Sequence, residues 1–211
     1  MELSDILPRE AILAKVGEFT ENVVSASAGE FIRDQEDAMS TVGLYVWDQM
    51  VARKVASDPS ALRDIYPDRL EKLAQFIKKE LGGEWLTDAF STRLYSPLDP
   101  EYSFVDLTVV QCYPNDVHIQ DIEFADLTRK LSRPKSGLGA RTYQGLGVFG
   151  HFLDNIKMLA RERGLDRISL MAASPAAHDV FTRYGFVVGD GALAQAAFDT
   201  LGYSHPMLLK V

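Results

Sequence analysis

The chain has 211 residues, 46% of them hydrophobic and 25% charged, with 22 Lys and Arg against 30 Asp and Glu for a formal net charge of −8. These proportions describe a globular protein with enough chain for a sizeable core, and they exclude intrinsic disorder, a collagen-like repeat and a disulfide-stapled scaffold. The acidic excess argues against nonspecific binding to nucleic acid or to an anionic membrane, which positive surface drives.

Cys112 is the sole cysteine, so no intramolecular disulfide can form and a zinc site built on thiolates is ruled out. A reducing cytoplasm is the expected setting. Glu2, Asp5 and Glu10 stand where a secretory signal needs a basic start and an unbroken apolar run, and no stretch reaches the ~18 consecutive apolar residues of a membrane helix. The sequence has no internal repeat and no Asn-x-Ser/Thr acceptor.

In chain order, residues 8–81 read as helices. Pro8 opens the first, with Ile12, Val16, Phe19 and Val23 as an apolar stripe. A second runs from Asp34 to Ala56, where Met39, Val42, Val46 and Met50 share a face. A third follows Asp68, carries Leu70, Leu73, Ala74, Ile77 and Leu81, and stops at Gly82-Gly83. The character changes near Trp85. Phe104 to Val110 and Val117 to Phe124 are β-rich, and the turn tetrad Tyr113-Pro114-Asn115-Asp116 joins them as a hairpin. After a polar loop, Val148, Phe149, Phe152, Leu153, Ile156, Leu159 and Ala160 trace a helix ending at Arg161, Arg163 and Gly164. Ile168–Ala172 reads as a strand, Pro175–Tyr184 as a short helix, Phe186–Val188 as a strand, and Pro206–Val211 as a closing strand. This order implies a mixed α/β sheet, with residues 1–84 a helical N-terminal region and 85–211 a second domain.

Charge is unevenly spread. Residues 1–84 carry 10 basic and 16 acidic side chains, 85–128 carry 1 and 8, 129–144 carry 5 and none, and 145–211 carry 6 of each. Arg129, Lys130, Arg133, Lys135 and Arg141 form a basic island that leads into Gln144-Gly145-Leu146-Gly147-Val148-Phe149-Gly150 and a helix start. A glycine turn lets backbone N–H groups approach an anion, and a helix N-terminus adds partial positive charge, so the combination suits phosphate oxygens. A solvated basic loop is the alternative. Gly145-x-Gly147-x-x-Gly150 matches the dinucleotide fingerprint in letters but not in context. No buried strand precedes it, and the next strand ends at Ala172-Ala173-Ser174 without a carboxylate. No Gly-Lys-Ser/Thr P-loop is present.

The run Tyr143-Gln144-Gly145-Leu146-Gly147, a helix, the strand Arg167-Ile168-Ser169-Leu170, then Ser174-Pro175-Ala176-Ala177 and Tyr184-Gly185-Phe186, resembles the GNAT superfamily of acetyl-CoA-dependent N-acyltransferases over about residues 100–190. The resemblance implies a GNAT-like, mostly antiparallel mixed sheet flanked by helices, here with a helical N-terminal extension that shapes the acceptor pocket or an oligomer contact such as a homodimer. It implies acetyl-CoA as cosubstrate, held by Arg141, Gln144, Gly145, Leu146, Gly147, Gly150 and Ser174, with Lys135 near the phosphates. The pantetheine arm is expected along the strand of Asp121 and Glu123. The acceptor is expected to be a small-molecule amine or a Lys-bearing peptide, suited to the acidic 85–128 segment.

In this family the amine attacks the thioester directly, leaving three tasks: deprotonating the amine, stabilising the oxyanion and protonating the thiolate. Glu123 is the candidate base; a solvated or Arg-paired carboxylate is the alternative. Two positions depart from the family pattern. Phe149 stands where the motif ends in Gly or Ala, with Gly150 as a substitute, and Phe181 stands where the family carries its thiolate-protonating Tyr. His178 and Tyr184, three residues to either side, are the candidate acids, with a surface His and a packed aromatic as their plainer readings. A GNAT-fold protein without catalysis, acting as a CoA-binding or interaction module, is the second reading. A pure interaction protein using the basic loop is the third. No metal is expected, because His118, His151, His178 and His205 lack ligand spacing. Cys112, in an apolar strand, reads as a small buried hydrophobe, and Trp47 and Trp85 as core or domain-contact residues.

Overall fold

A computed structural model of the chain describes residues 1–16, 18–54, 78–80, 82, 84–95, 104–124, 148–202 and 205–211. Seven strands form one sheet: β1 (Thr20–Ser25), β2 (Leu86–Tyr95), β3 (Phe104–Cys112), β4 (Asp116–Phe124), β5 (Arg167–Ala172), β6 (Val187–Val188) and β7 (His205–Lys210). Their spatial order is β1-β2-β3-β4-β5-β7-β6, antiparallel at each junction except the parallel β4–β5 pair. The chain is therefore an α/β fold with a mixed, mostly antiparallel sheet flanked by helices. Those helices are α1 (Arg9–Val16), α2 (Ala28–Asp34), α3 (Glu36–Ala52), α4 (Val148–Arg163), α5 (Pro175–Arg183) and α6 (Ala192–Leu201).

Alternation along the strands divides the core in two. Val105, Leu107 and Val109 of β3 and Val117 and Ile119 of β4 face one side, where α4 lays down Val148, Phe152, Leu153, Ile156, Leu159 and Ala160. Val110 and Cys112 face the other, against Phe31 of α2 and Val42, Tyr45, Val46, Trp47 and Met50 of α3. The apolar stripe expected for residues 148–160 is thus the face that α4 buries. Gly164 ends that helix at φ 64, and the Leu165 N–H closes back on the Ala160 carbonyl at 2.8 Å. Ser174 caps α5, its hydroxyl accepting the Ala177 N–H at 3.1 Å, and Pro175 follows at the first turn.

The N-terminal region departs from the all-helical expectation. The first helix stops at Val16, and Thr20–Ser25 is a strand paired with β2, so Val23 lies on the sheet edge and is exposed. The β-branched Thr20, Val23 and Val24 favour extended backbone, and β2 supplies a partner; that outweighs the helical spacing of Phe19 and Val23. The helix expected from Asp34 is α3, but α2 precedes it across Gln35, with Ser27 accepting the Glu30 N–H at 3.3 Å. The third expected helix lies outside the described residues apart from Lys78–Glu80. Asp116, read as a turn residue, is the buried first residue of β4.

Among the described residues no helix is long and apolar enough to cross a membrane.

Candidate functional site

The parallel ladder is short. β4 and β5 pair over four rungs, from Asp116–Arg167 to Ile119–Leu170. Beyond them, Gln120–Phe124 of β4 and Met171–Ala172 of β5 continue without pairing to each other. Among the described residues the pairing of the two strands therefore ends at the fourth rung. At the same point β4 carries a bulge: Thr108 of β3 pairs with Asp121 and Val109 with Ile119, which leaves Gln120 as the extra residue. A bulge bends its strand and re-aims the side chains beyond it, so the parting of β4 from β5 has a local cause.

Glu123 lies on this unpaired stretch, opposite Asp106 of β3, and Asp121 lies opposite Thr108. Asp121 is exposed. The candidate phosphate cradle, Arg141, Gln144, Gly145, Leu146 and Gly147 together with Lys135, falls outside the described residues. Its continuation does not: Gly150 stands in the first turn of α4, where an added Cβ meets nothing within 4 Å among the described residues. Phe149 turns toward α5, its ring 5.7 Å from Phe181 and edge-on to Tyr184 at 4.7 Å. That packing commits the Phe149 ring to the contact between α4 and α5 and leaves open space at Gly150.

The candidate acids face different neighbours. Tyr184 closes the C-terminal end of α5 beside Phe149. His178 turns to β7 and α6, where its Nδ1 shares a 3.1 Å hydrogen bond with Nε2 of the buried His205 and its ring stacks on Phe198. Phe181, between them in sequence, packs on Phe149 and Phe186. One leaving group therefore has at most one of the two beside it. Ser174 accepts the α5 cap bond, and its hydroxyl proton remains available to a ligand.

A buried polar network, which no sequence motif announces, sits at the closed end of the ladder. The Arg167 guanidinium holds Asp116 at 3.0 Å, donates to Gln49 Oε1 at 2.6 Å and reaches Asp190 at 3.3 Å. The Tyr45 hydroxyl donates to Oδ2 of Asp116, the carboxylate oxygen that Arg167 also holds at 3.0 Å. Two rungs along, His118 Nδ1 and Ser169 Oγ lie 2.9 Å apart, and the His118 ring stacks on Tyr45 at 4.5 Å. Burial pushes His118 down to about 3, so the imidazole is neutral at physiological pH. Burial, reinforced by the Asp116 charge, holds the Tyr45 phenol and the Cys112 thiol well above their usual ranges. None of these groups changes protonation near neutral pH. The network is a tie between α3 and the two parallel strands, and the buried thiol of Cys112 is not a nucleophile.

Among the described residues no group of three or more His, Cys, Asp and Glu is arranged to hold a metal ion. No known family model and no curated protein matches the chain.

Proposed function

We propose that the chain is a GNAT-type N-acyltransferase that moves the acetyl group of acetyl-CoA to a primary amine by direct attack on the thioester. The observation that carries this reading is the parted β4–β5 pair. An extended, amide-bearing arm such as pantetheine pairs with a strand edge as an added strand does, and Gln120–Phe124, which has no β5 partner among the described residues, is the stretch of β4 on which it would pair. The surrounding order supports it: a bulge at the parting point, a glycine-bearing sequence before α4, and a capped α5 after β5. The open space at Gly150 suits the close approach of a phosphate to a helix N-terminus.

In this reaction the amine nitrogen bonds to the thioester carbonyl carbon, the C–S bond breaks, and the amine proton leaves to a base. Glu123, on the unpaired stretch of β4, is assigned that role. A backbone N–H of β4 beside the bulge stabilises the oxyanion, and the thiolate takes its proton from Tyr184, His178 or water. The cradle 141–147 holds the pyrophosphate.

One observation favours a second reading, a GNAT-like module that binds CoA without turnover. Phe181 packs among Phe149 and Phe186 and has no proton to give.

Calorimetric titration of acetyl-CoA separates these readings, with Arg141→Ala and Gly147→Glu as controls. Binding that both substitutions weaken, with thiol release in the presence of an amine, supports the acyltransferase. Binding without release from any amine supports the second reading, and no binding at about millimolar acetyl-CoA removes both.

A further inference from the structure

Val105, Leu107 and Val109 of β3 face α4, so Asp106 and Thr108 between them face the other side of the sheet. Two cross-strand rows run through them from β4 to β1. Asp121, Thr108, Ser91 and Ser25 form the first, and Glu123, Asp106, Arg93 and Asn22 form the second. The second row sets two acidic residues directly opposite each other, Glu123 on β4 and Asp106 on β3, with Arg93 opposite Asp106 on the next strand. Directly opposite positions bring Cβ atoms to about 4.5–5.5 Å, and like charges placed so weaken the pairing of their strands. A row that costs stability at the position of the proposed base has a chemical use there.

The Arg93 guanidinium grips the Asp106 carboxylate through two hydrogen bonds of 2.6 and 2.5 Å. The Asp106 side chain is 19% exposed and that of Arg93 55%, so the acidic end of the pair is the more buried. A two-pronged grip fixes where the carboxylate stands. At about 4.8 Å between strands, Asp106 is one strand from Glu123 and Arg93 is two, so the nearer charge in the row is negative. Among the described residues Asp106, Arg93 and Asp121 are the charged groups in the wall of one cavity over these rows. Asn22 and Gln35, which reach the same cavity from β1 and from the junction of α2 and α3, are neutral.

An amine in neutral water is mostly ammonium and must give up a proton before its lone pair can attack. The greater the proton affinity of the base, the less that transfer runs uphill, but a carboxyl whose affinity climbs too far arrives already protonated. A negative neighbour raises the affinity and a positive one lowers it. Asp106 supplies the first influence and Arg93 the second. Both senses follow from the sign of each charge and its place in the row, so they hold whatever else Arg93 touches.

We propose that Asp106 and Arg93 are positioning residues that act through Glu123, Asp106 strengthening it as a base and Arg93 keeping it ionised near neutral pH. The inference rests on the acyltransferase reading and adds the pH dependence of the same site to it.

The test follows kcat for acetylation of n-propylamine at saturating acetyl-CoA, by thiol release between about pH 5.5 and 9, in the parent, Asp106→Asn, Asp106→Glu and Arg93→Gln. A 13C-carboxyl NMR titration of Glu123, assigned with Glu123→Gln, is run on the same proteins without substrate. Ionisation of the amine is common to all of them, so a difference in the acidic limb belongs to the enzyme. Asp106→Asn is expected to move both the acidic limb and the Glu123 titration down by about half a pH unit or more, and Arg93→Gln to move both up by as much. Asp106→Glu, which keeps the charge, is expected to restore most of the parent profile. A merely structural role changes rates without moving the limb in opposite directions. Arg93→Gln, at an exposed position, decides the matter if Asp106→Asn does not fold. Unmoved limbs, or limbs that move the same way, overturn the proposal. A Glu123 titration that moves while the limb stays fixed shows that another group is the base, which overturns the proposal and leaves the acyltransferase reading standing. Failure to bind acetyl-CoA in calorimetry overturns the acyltransferase reading, and the roles of Asp106 and Arg93 fall with it.

Discussion

Asp116 and Arg167 face each other across the first rung of the parallel β4–β5 pair, 3.0 Å apart, with the carboxylate fully buried and the guanidinium nearly so. Two opposite charges taken out of water together are held by what surrounds them, here the Tyr45 hydroxyl on the carboxylate and Gln49 and Asp190 on the guanidinium. Removing one partner leaves the other charge buried and unmatched. Arg167→Leu is expected to destabilise the fold by about 3–5 kcal/mol in urea denaturation. Replacing both, with Asp116→Asn and Arg167→Met, is expected to cost less than the sum of the two single changes. Additive losses would mean that the pair does not act as a unit.

Two rungs further, His118 gives the protein a defined acid sensitivity. Burial holds the folded imidazole at about 3 against 6.5 for the ordinary side chain, so between those values the unfolded chain binds a proton that the folded chain does not. Stability from this group is complete above pH 6.5 and falls by about 1.4 kcal/mol for each pH unit as pH drops toward 3. His118→Gln removes the titration and keeps a polar side chain beside Ser169. Between pH 7.5 and pH 4.5 the variant is expected to lose roughly 2–3 kcal/mol less stability than the parent. Equal losses in the two proteins would show that His118 is not buried in the neutral form.

Much of the sheet is legible in local sequence, because local chemistry sets it. The β3–β4 hairpin follows from a turn tetrad between β-branched runs, α4 from an apolar stripe closed by Gly164, and α5 from Ser174-Pro175 at its start. β1 was hidden because Phe19 and Val23 happen to fall at helical spacing, and β2 because Leu86–Tyr95 is buried along most of its length and alternates weakly. The candidate site divides the same way. Gly150 and Ser174 stand at helix starts that composition points to, whereas the bulge at Gln120, the parting of the strands and the Tyr45–Asp116–Arg167 cluster depend on pairings between segments far apart in the chain. The cross-sheet rows belong to this second kind. Ser25, Ser91 and Thr108 are unremarkable singly, and only the register makes them neighbours.

Gly191 at the start of α6 is held by a close approach rather than by backbone conformation. An added Cβ there falls 1.8 Å from Oδ2 of Asp48, a buried carboxylate on α3, which therefore sits directly over the N-terminus of α6. The helix end favours that negative charge, and the contact joins the two helices. Gly191→Ala must displace Asp48, at an expected cost of about 1–3 kcal/mol in chemical denaturation. In an Asp48→Ala background the same substitution is expected to cost less than half as much, because the obstacle is gone. A cost that does not change with Asp48 would place the strain elsewhere.

Gly150 offers the converse case, a glycine with room around it. It stands at the third residue of α4, an added Cβ meets nothing within 4 Å among the described residues, and its backbone needs no positive φ. Substitution there is therefore expected to leave the fold intact, and Gly150→Ala to raise stability by about 0.5–1 kcal/mol through the gain in helix propensity. Under the acyltransferase reading this open space is where a phosphate-bearing ligand comes close to the first turn of the helix. A bulky, negatively charged side chain is expected to fill it and repel the ligand: Gly150→Glu should melt within a few degrees of the parent and bind acetyl-CoA about tenfold or more weakly in calorimetry. The charge-neutral Gly150→Gln separates the two effects, since a loss that appears with Glu and is small with Gln belongs to electrostatics at the helix start. Unchanged affinity in both variants would move the ligand away from the first turn of α4.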